Sequence, residues 1–271
     1  MFGPSALVPG KGMDGYGESP IMRIVLLGTS GYHPTDARQT ACMMLPECGV
    51  ILDAGTAMYR VRDYIATATL DIFLTHTHLD HVIGLTYLFN ILHGTSIEHV
   101  RVHGQGNKLA ALREHLFSES LFPVIPPLQW QPLPGGPLEV VGSVCPTRLT
   151  SFPLTHPGGS LGYRLDCPDR SLAYITDTTA SEDADYVDHI RGVDLLLHEC
   201  YFPDGWEDQA QLTGHSCLSS VAKVAQAAGV GRLVLIHINP LATSDDQVGV
   251  EKARKIFSNT QIGTDRMELE F

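Results

Sequence analysis

Apolar residues in this chain gather into short runs, and most of those runs end at a glycine, an aspartate or a histidine. Residues 21–27, 40–45, 49–52, 70–75, 100–103, 193–197, 232–236 and 267–271 carry the runs expected of buried strands. The first closes on the turn-forming Gly28-Thr-Ser-Gly31, the third on Asp53-Ala-Gly55. Helical periodicity is read over 57–66, 81–93, 108–117, 183–190, 215–228 and 247–258. Prolines break up 122–137, which reads as loop and edge structure, whereas strand signals dominate 138–174. Strands and helices interleave with β-rich stretches in both halves, so the pattern predicts a layered α/β architecture with helices covering packed sheets.

Composition adds to that picture. Hydrophobic content of 44% over 271 residues supports a sizeable core. Residues 1–20, rich in Gly and Pro and without a basic and then apolar pair of regions, read as a flexible leader ahead of a single domain over 21–271. No apolar run is long enough to cross a bilayer, so no membrane partner is expected. The six cysteines are scattered without a C-x-x-C pair, as in a reduced, cytoplasmic protein. A formal net charge of -12, from 30 acidic and 18 basic residues with no Lys/Arg run, disfavours nucleic acid as a partner.

The chemistry concentrates in His76-Thr-His78-Leu-Asp80-His81, directly after the 70–75 strand. At i and i+2 on an extended segment, His76 and His78 point the same way, while Asp80 and His81 lie where the chain turns into a helix. Imidazoles with a carboxylate and no thiolate suit Zn²⁺ first, with Mn²⁺ or Fe as alternatives. Four positions near later strand ends are candidate partners: His156, Asp177, His198 or its neighbour Glu199, and His237. Strand ends on one rim are where α/β folds assemble sites.

These residues resemble the metallo-β-lactamase superfamily, through the H-x-H-x-D-H signature at His76–His81 followed by His156, Asp177 and His237. The resemblance runs from about Met22 to the end of the chain and implies an αββα four-layer sandwich with two divalent metal ions. By that likeness His76, His78 and His156 hold one ion, Asp80, His81 and His237 the other, and Asp177 bridges both. A hydroxide shared by the two cations would be the nucleophile, with Asp80 helping to hold it.

Two further stretches resemble the ribonuclease Z branch: residues 27–40, and the pair formed by His198-Glu199-Cys200 and Gly214-His215-Ser216. The likeness implies that Glu199 orients a non-ligand His215, which assists phosphodiester cleavage; His198 is read as a bystander. The tRNA-gripping arm of ribonuclease Z lies between the ligands matching His156 and Asp177, and this chain has only a short interval there. That interval looks more like PhnP, a cyclic phosphodiesterase, although PhnP's cysteine-rich zinc site has no counterpart here. The expectation is therefore a small or cyclic phosphodiester as substrate, with Arg38, Arg164 and Ser216 as weaker candidates for phosphate contacts, and a homodimer as in relatives of the branch. The rivals are a tRNA 3′-end endonuclease, a thioester or lactone hydrolase, and a non-catalytic metal-binding protein.

Overall fold

Strands β1 (Arg23–Gly28), β2 (Cys42–Leu45), β3 (Val50–Leu52), β4 (Thr69–Phe73), β5 (His99–Gly104), β6 (Gln129–Pro132) and β14 (Met267–Glu270) make one mixed sheet. A second is made by β7 (Leu138–Val141), β8 (Pro146–Leu154), β9 (Ser160–Asp166), β10 (Ser171–Ile175), β11 (Leu195–Glu199), β12 (Arg232–Ile236) and β13 (Thr260–Ile262). Their orders are β14-β1-β2-β3-β4-β5-β6 and β13-β12-β11-β10-β9-β8-β7. The run β3 to β6 is parallel, as is β10 to β13. This computed structural model describes residues 22–134, 138–141, 146–242, 246 and 248–271. The leader 1–20, Cys145 and the expected helix start at 247 lie outside the described residues.

The central strands of both sheets are buried on both faces, and that is why they read as continuous apolar runs rather than as alternating ones. In β1, Ile24 and Leu26 face the second sheet, where they join Leu172, Tyr174, Leu195 and Leu197. Val25 and Leu27 point the other way, into a layer with Met58, Val61 and Leu85. On the far side of the second sheet, Leu196 and Leu233 meet Val221, Ala222 and Ala225. Layers therefore stack helix, sheet, sheet, helix, the fold class that the sequence predicts.

The helical layers are built from α1 (Leu79–Val82), α2 (Leu88–Leu92), α3 (Gly106–Ala111), α4 (Tyr186–His189), α5 (Glu207–Thr213), α6 (Leu218–Ala228) and α7 (Val250–Ile256). They are shorter and more broken than the periodicity suggests. Residues 57–66 form a 3₁₀ segment, Thr56–Tyr64, and the stretch expected as one helix over 81–93 is α1, a 3₁₀ turn Ile83–Tyr87, then α2. A Cβ on Gly84 would stand 2.3 Å from both the Gly55 carbonyl and the Met58 Cβ, so the backbone packs tightly at that break. Two elements, α5 and β13, carry no apolar pattern that sequence reading could use: α5 buries only Ala210, and β13 is three residues long.

Candidate metal centre

Five strands of the two sheets deliver the site. After β4 the chain runs through His76 and His78 and turns into α1, which opens with Leu79, Asp80 and His81. His156 follows β8, Asp177 follows β10, Glu199 closes β11 and His237 follows β12. The turns that aim these groups are strained: Tyr32, Asp53, Asp177 and His237 have φ of 60°, 60°, 46° and 53°. Non-glycine residues rarely take such values, and they cluster where surrounding structure over-determines a functional geometry.

The ligand candidates fall into two groups whose atoms lie within 4.8 Å of one another, His76, His78, His156 and Asp177, and then Asp80, His81 and His237; His215 makes a third such group with Asp177 and His237. Asp177 stands between them. Its Oδ2 is 3.5 Å from His76 Nε2 and 3.6 Å from His156 Nε2, and its Oδ1 is 3.2 Å from both His81 Nε2 and His237 Nε2. Asp80 Oδ2 sits 3.4 Å from His81 Nε2 and 3.5 Å from His237 Nε2.

The donor set fits divalent cations. His81 donates Nδ1–H to Asp53 Oδ2 at 2.8 Å, and His156 donates Nδ1–H to the Gly214 carbonyl at 2.9 Å. The Thr75 hydroxyl is spent on Asp53, so it accepts from His76 Nδ1 at 3.1 Å. In each case the Nε2 lone pair is left facing inward, the orientation that outer carboxylates and carbonyls impose on metal-binding imidazoles. His76 Nε2 is buried without a hydrogen-bond partner, and the Nε2 atoms of His81 and His237 face each other at 3.3 Å. Electrostatics agree. Burial pushes His76 well below its ordinary pKa. Burial would lower His81 too, but Asp177, Asp80 and Asp53 lift it well above its ordinary value, so the carboxylates draw positive charge into the cluster.

Glu199 is fully buried and held at Oε1 by the Thr178 N–H at 2.8 Å and at Oε2 by the Ser216 N–H at 3.2 Å. His215 donates Nδ1–H to its Oε1 at 3.0 Å, which leaves His215 Nε2 free for other partners. Burial alone would depress His215; the Glu199 carboxylate overrides it and pushes the imidazole up to about 9. Gly214 makes this approach feasible: it ends α5 at φ 74°, and a Cβ there would meet Pro157 Cδ at 2.3 Å and His156 Nδ1 at 2.8 Å. A cavity of about 350 Å³ opens over the centre, lined by Tyr32, His78, His156, Tyr201 and His215 among others. His198, in contrast, is wholly buried between the Tyr186 hydroxyl and the Glu199 carbonyl, a structural residue.

The three candidates for phosphate contact need correction, because each is already committed. The Arg38 guanidinium is buried and donates to the Gly263 carbonyl at 2.6 Å. Arg164 is held by Asp166 and by the carbonyls of His189 and Arg191. The Ser216 hydroxyl donates to the Thr178 carbonyl at 2.6 Å and accepts from the Ala180 N–H at 3.0 Å. These residues serve the scaffold.

Sequence reading missed three contributors. Asp53, taken only as a strand break, is buried and receives His81, Thr75 and, at 2.9 Å, the Tyr174 hydroxyl. Tyr32 donates its backbone N–H to Asp80 Oδ2 at 2.9 Å, and Tyr201 stacks on His215 with centroids 4.7 Å apart. Asp53 had a signal, since a carboxylate at a strand end is out of place in a buried core. Asp53→Asn is expected to weaken divalent-metal binding roughly 10- to 100-fold, read by competition with a chromogenic chelator. Unchanged affinity in a folded variant would assign Asp53 to packing alone.

The comparisons with known proteins converge on one family. The beta-lactamase superfamily domain model matches residues 50–238. The ribonuclease Z of Methanosarcina acetivorans is 26% identical over 314 aligned residues, covering 92% of this chain and 98% of its own. Among solved structures, the metallo-beta-lactamase fold protein YhfI from Bacillus subtilis superposes with a TM-score of 0.77 at 19% identity, covering 92% of this chain and 99% of its own. A diphosphatase from the PhnP family gives 0.71 at 20% identity, covering 93% and 98%. The relationship to ribonuclease Z overturns the expectation that nucleic acid is disfavoured as a partner. Net charge is a property of the whole surface, whereas a scissile phosphate meets only the local field.

Proposed function

The chain belongs to the β-lactamase superfamily, in the branch of ribonuclease Z and PhnP, and from that premise we propose that it is a metal-dependent phosphodiesterase acting on RNA in the manner of ribonuclease Z. The observation that carries this reading is the buried Glu199 with its hydrogen-bonded His215, set beside two groups of metal-ligating side chains under one cavity. A thioester expels a thiolate that leaves without a proton, whereas the leaving alkoxide of a phosphodiester calls for a positioned acid.

The geometry supports these roles. His76, His78, His156 and Asp177 would hold one divalent ion, Asp80, His81, His237 and Asp177 the other, with Zn²⁺ as the first choice and Mn²⁺ or Fe also compatible with these ligands. Such ions acidify water and offset negative charge on phosphoryl oxygens. Asp80, fixed by the Tyr32 N–H, orients the attacking water. His215, kept protonated by Glu199, donates its proton to the departing oxygen.

A second reading, a small or cyclic diester, is favoured by one observation. Between His156 and Asp177 this chain has only the β9–β10 hairpin, and the ribonuclease Z alignment, at 314 residues, is longer than the whole 271-residue chain. The relative therefore carries segments that have no counterpart in this chain.

Purified protein loaded with Zn²⁺ or Mn²⁺ should hydrolyse bis-p-nitrophenyl phosphate and trim a precursor tRNA carrying a 3′ extension. Diester hydrolysis with intact precursor tRNA would move the assignment to the small-substrate reading. Thioester or lactone turnover without diester turnover would reject both.

A further inference from the structure

A second cavity, of about 530 Å³, lies outside the metal centre and is lined by Gln39, Thr56, Tyr59, Arg62, Tyr87 and Asn90 among others. We propose that it is a nucleotide subsite, holding one base and phosphate of a single-stranded RNA whose scissile phosphate rests on the metal centre. This rests on the phosphodiesterase reading above.

Three observations point to that ligand. The first is chemical composition. In a chain with 30 acidic residues, no carboxylate is among the described residues lining this cavity, while a guanidinium, two phenol rings and two carboxamides are. Aromatic faces stack bases, a guanidinium meets a phosphate, and carboxamides both donate to and accept from base edges. The second is preorganisation. Tyr59 is 50% exposed, yet Arg60 holds it, with its guanidinium 5.4 Å from the ring centroid and Nε donating to the phenol oxygen at 3.1 Å. Arg60 is in turn anchored by Asp265 at 2.6 Å, so the ring is a fixed platform rather than a mobile surface tyrosine. Arg62 is held in the same way, by the Asn90 carbonyl at 2.6 Å through a single nitrogen, and its other nitrogen donors remain for an anion.

The third is position. The loop over residues 28–40 separates this cavity from the metal centre and contributes to both. Tyr32 binds Asp80 through its N–H and lines the cavity over the metals, while Pro34 and Gln39 line the second cavity. Tyr32 and Pro34 are two residues apart, a span of at most about 7 Å. On the other wall, Thr56 follows Gly55, whose Cβ position would lie 2.2 Å from the Asp80 carbonyl. A chain crossing the loop from the metals thus reaches the platform within a nucleotide or two.

The test measures two quantities on the metal-loaded full chain: turnover of bis-p-nitrophenyl phosphate, which offers the cavity neither a base nor a second phosphate, and equilibrium binding of a short single-stranded RNA. Arg62→Glu and Tyr59→Ala are expected to weaken RNA binding roughly tenfold or more each, while chromogenic turnover stays within about twofold. Tyr59→Phe, which keeps the ring, should bind RNA as the parent does. No binding by the parent, or equal binding by parent, Arg62→Glu and Tyr59→Ala, overturns the subsite. If the parent turns over no diester while the two substitutions still weaken RNA binding, the phosphodiesterase reading fails and the subsite stands.

Discussion

Asp177→Asn should lose at least about 1,000-fold in diester turnover and one or both metal ions, read by steady-state kinetics and by elemental analysis of metal per chain. The residue has no substitute. Four imidazoles approach its two oxygens, His76 and His156 on one side and His81 and His237 on the other, at 3.2 to 3.6 Å. Asparagine keeps the shape but removes the charge and replaces one acceptor by an N–H donor, which cannot ligate a cation. It also inherits the left-handed backbone at φ 46°, which asparagine tolerates, so the fold should survive; a thermal melt checks this. Two metals per chain with turnover within tenfold of the parent would remove Asp177 from the centre.

The second large effect concerns the proton. With His215 lifted to about 9, its acid form persists through neutral pH and is lost as pH rises through that value. RNA cleavage should therefore hold up to mildly alkaline pH and then fall. Glu199→Gln removes the charge that opposes burial, so the alkaline limb should move down by more than one pH unit, towards the ordinary histidine range. At pH 8 this variant should lose most of its rate, and at pH 6 much less. His215→Ala should abolish that limb and cost roughly 10²- to 10⁴-fold in RNA cleavage. Its loss on bis-p-nitrophenyl phosphate should be smaller, because p-nitrophenolate leaves without a proton. Equal losses on both substrates would make His215 a binding group instead of an acid.

How much of this was legible beforehand follows from the range of each interaction. The strands were legible because a sheet covered on both sides needs runs such as Arg232–Ile236, in which four of five residues are buried. That these side chains would gather was legible because imidazoles and carboxylates at strand ends are chemically conspicuous, and four of them sit within six residues. Asp53 was overlooked because its meaning lies in His81, 28 positions away, and in Tyr174, 121 positions away. Arg38 misled for the same reason, since its partner Gly263 is 225 positions distant. The 3₁₀ segment Thr56–Tyr64 keeps an apolar face through Ala57, Met58 and Val61, so periodicity reads it as helical without telling its winding. Net charge misled in another way, being a sum that says nothing of a local cavity such as the one at Arg62.

The candidate ligands come from both sheets: His76, His78, Asp80 and His81 extend from the first, and His156, Asp177 and His237 from the second. Every ion captured there is consequently a rivet across the seam between the two halves of the core. The free energy of capture is added where the sheets meet, by the ratio of free ion to dissociation constant. Neither half alone offers a full set of candidate ligands, so the centre would come into being only once the sheets have docked, and metal supply would then set how firmly this protein stays shut as well as how fast it works.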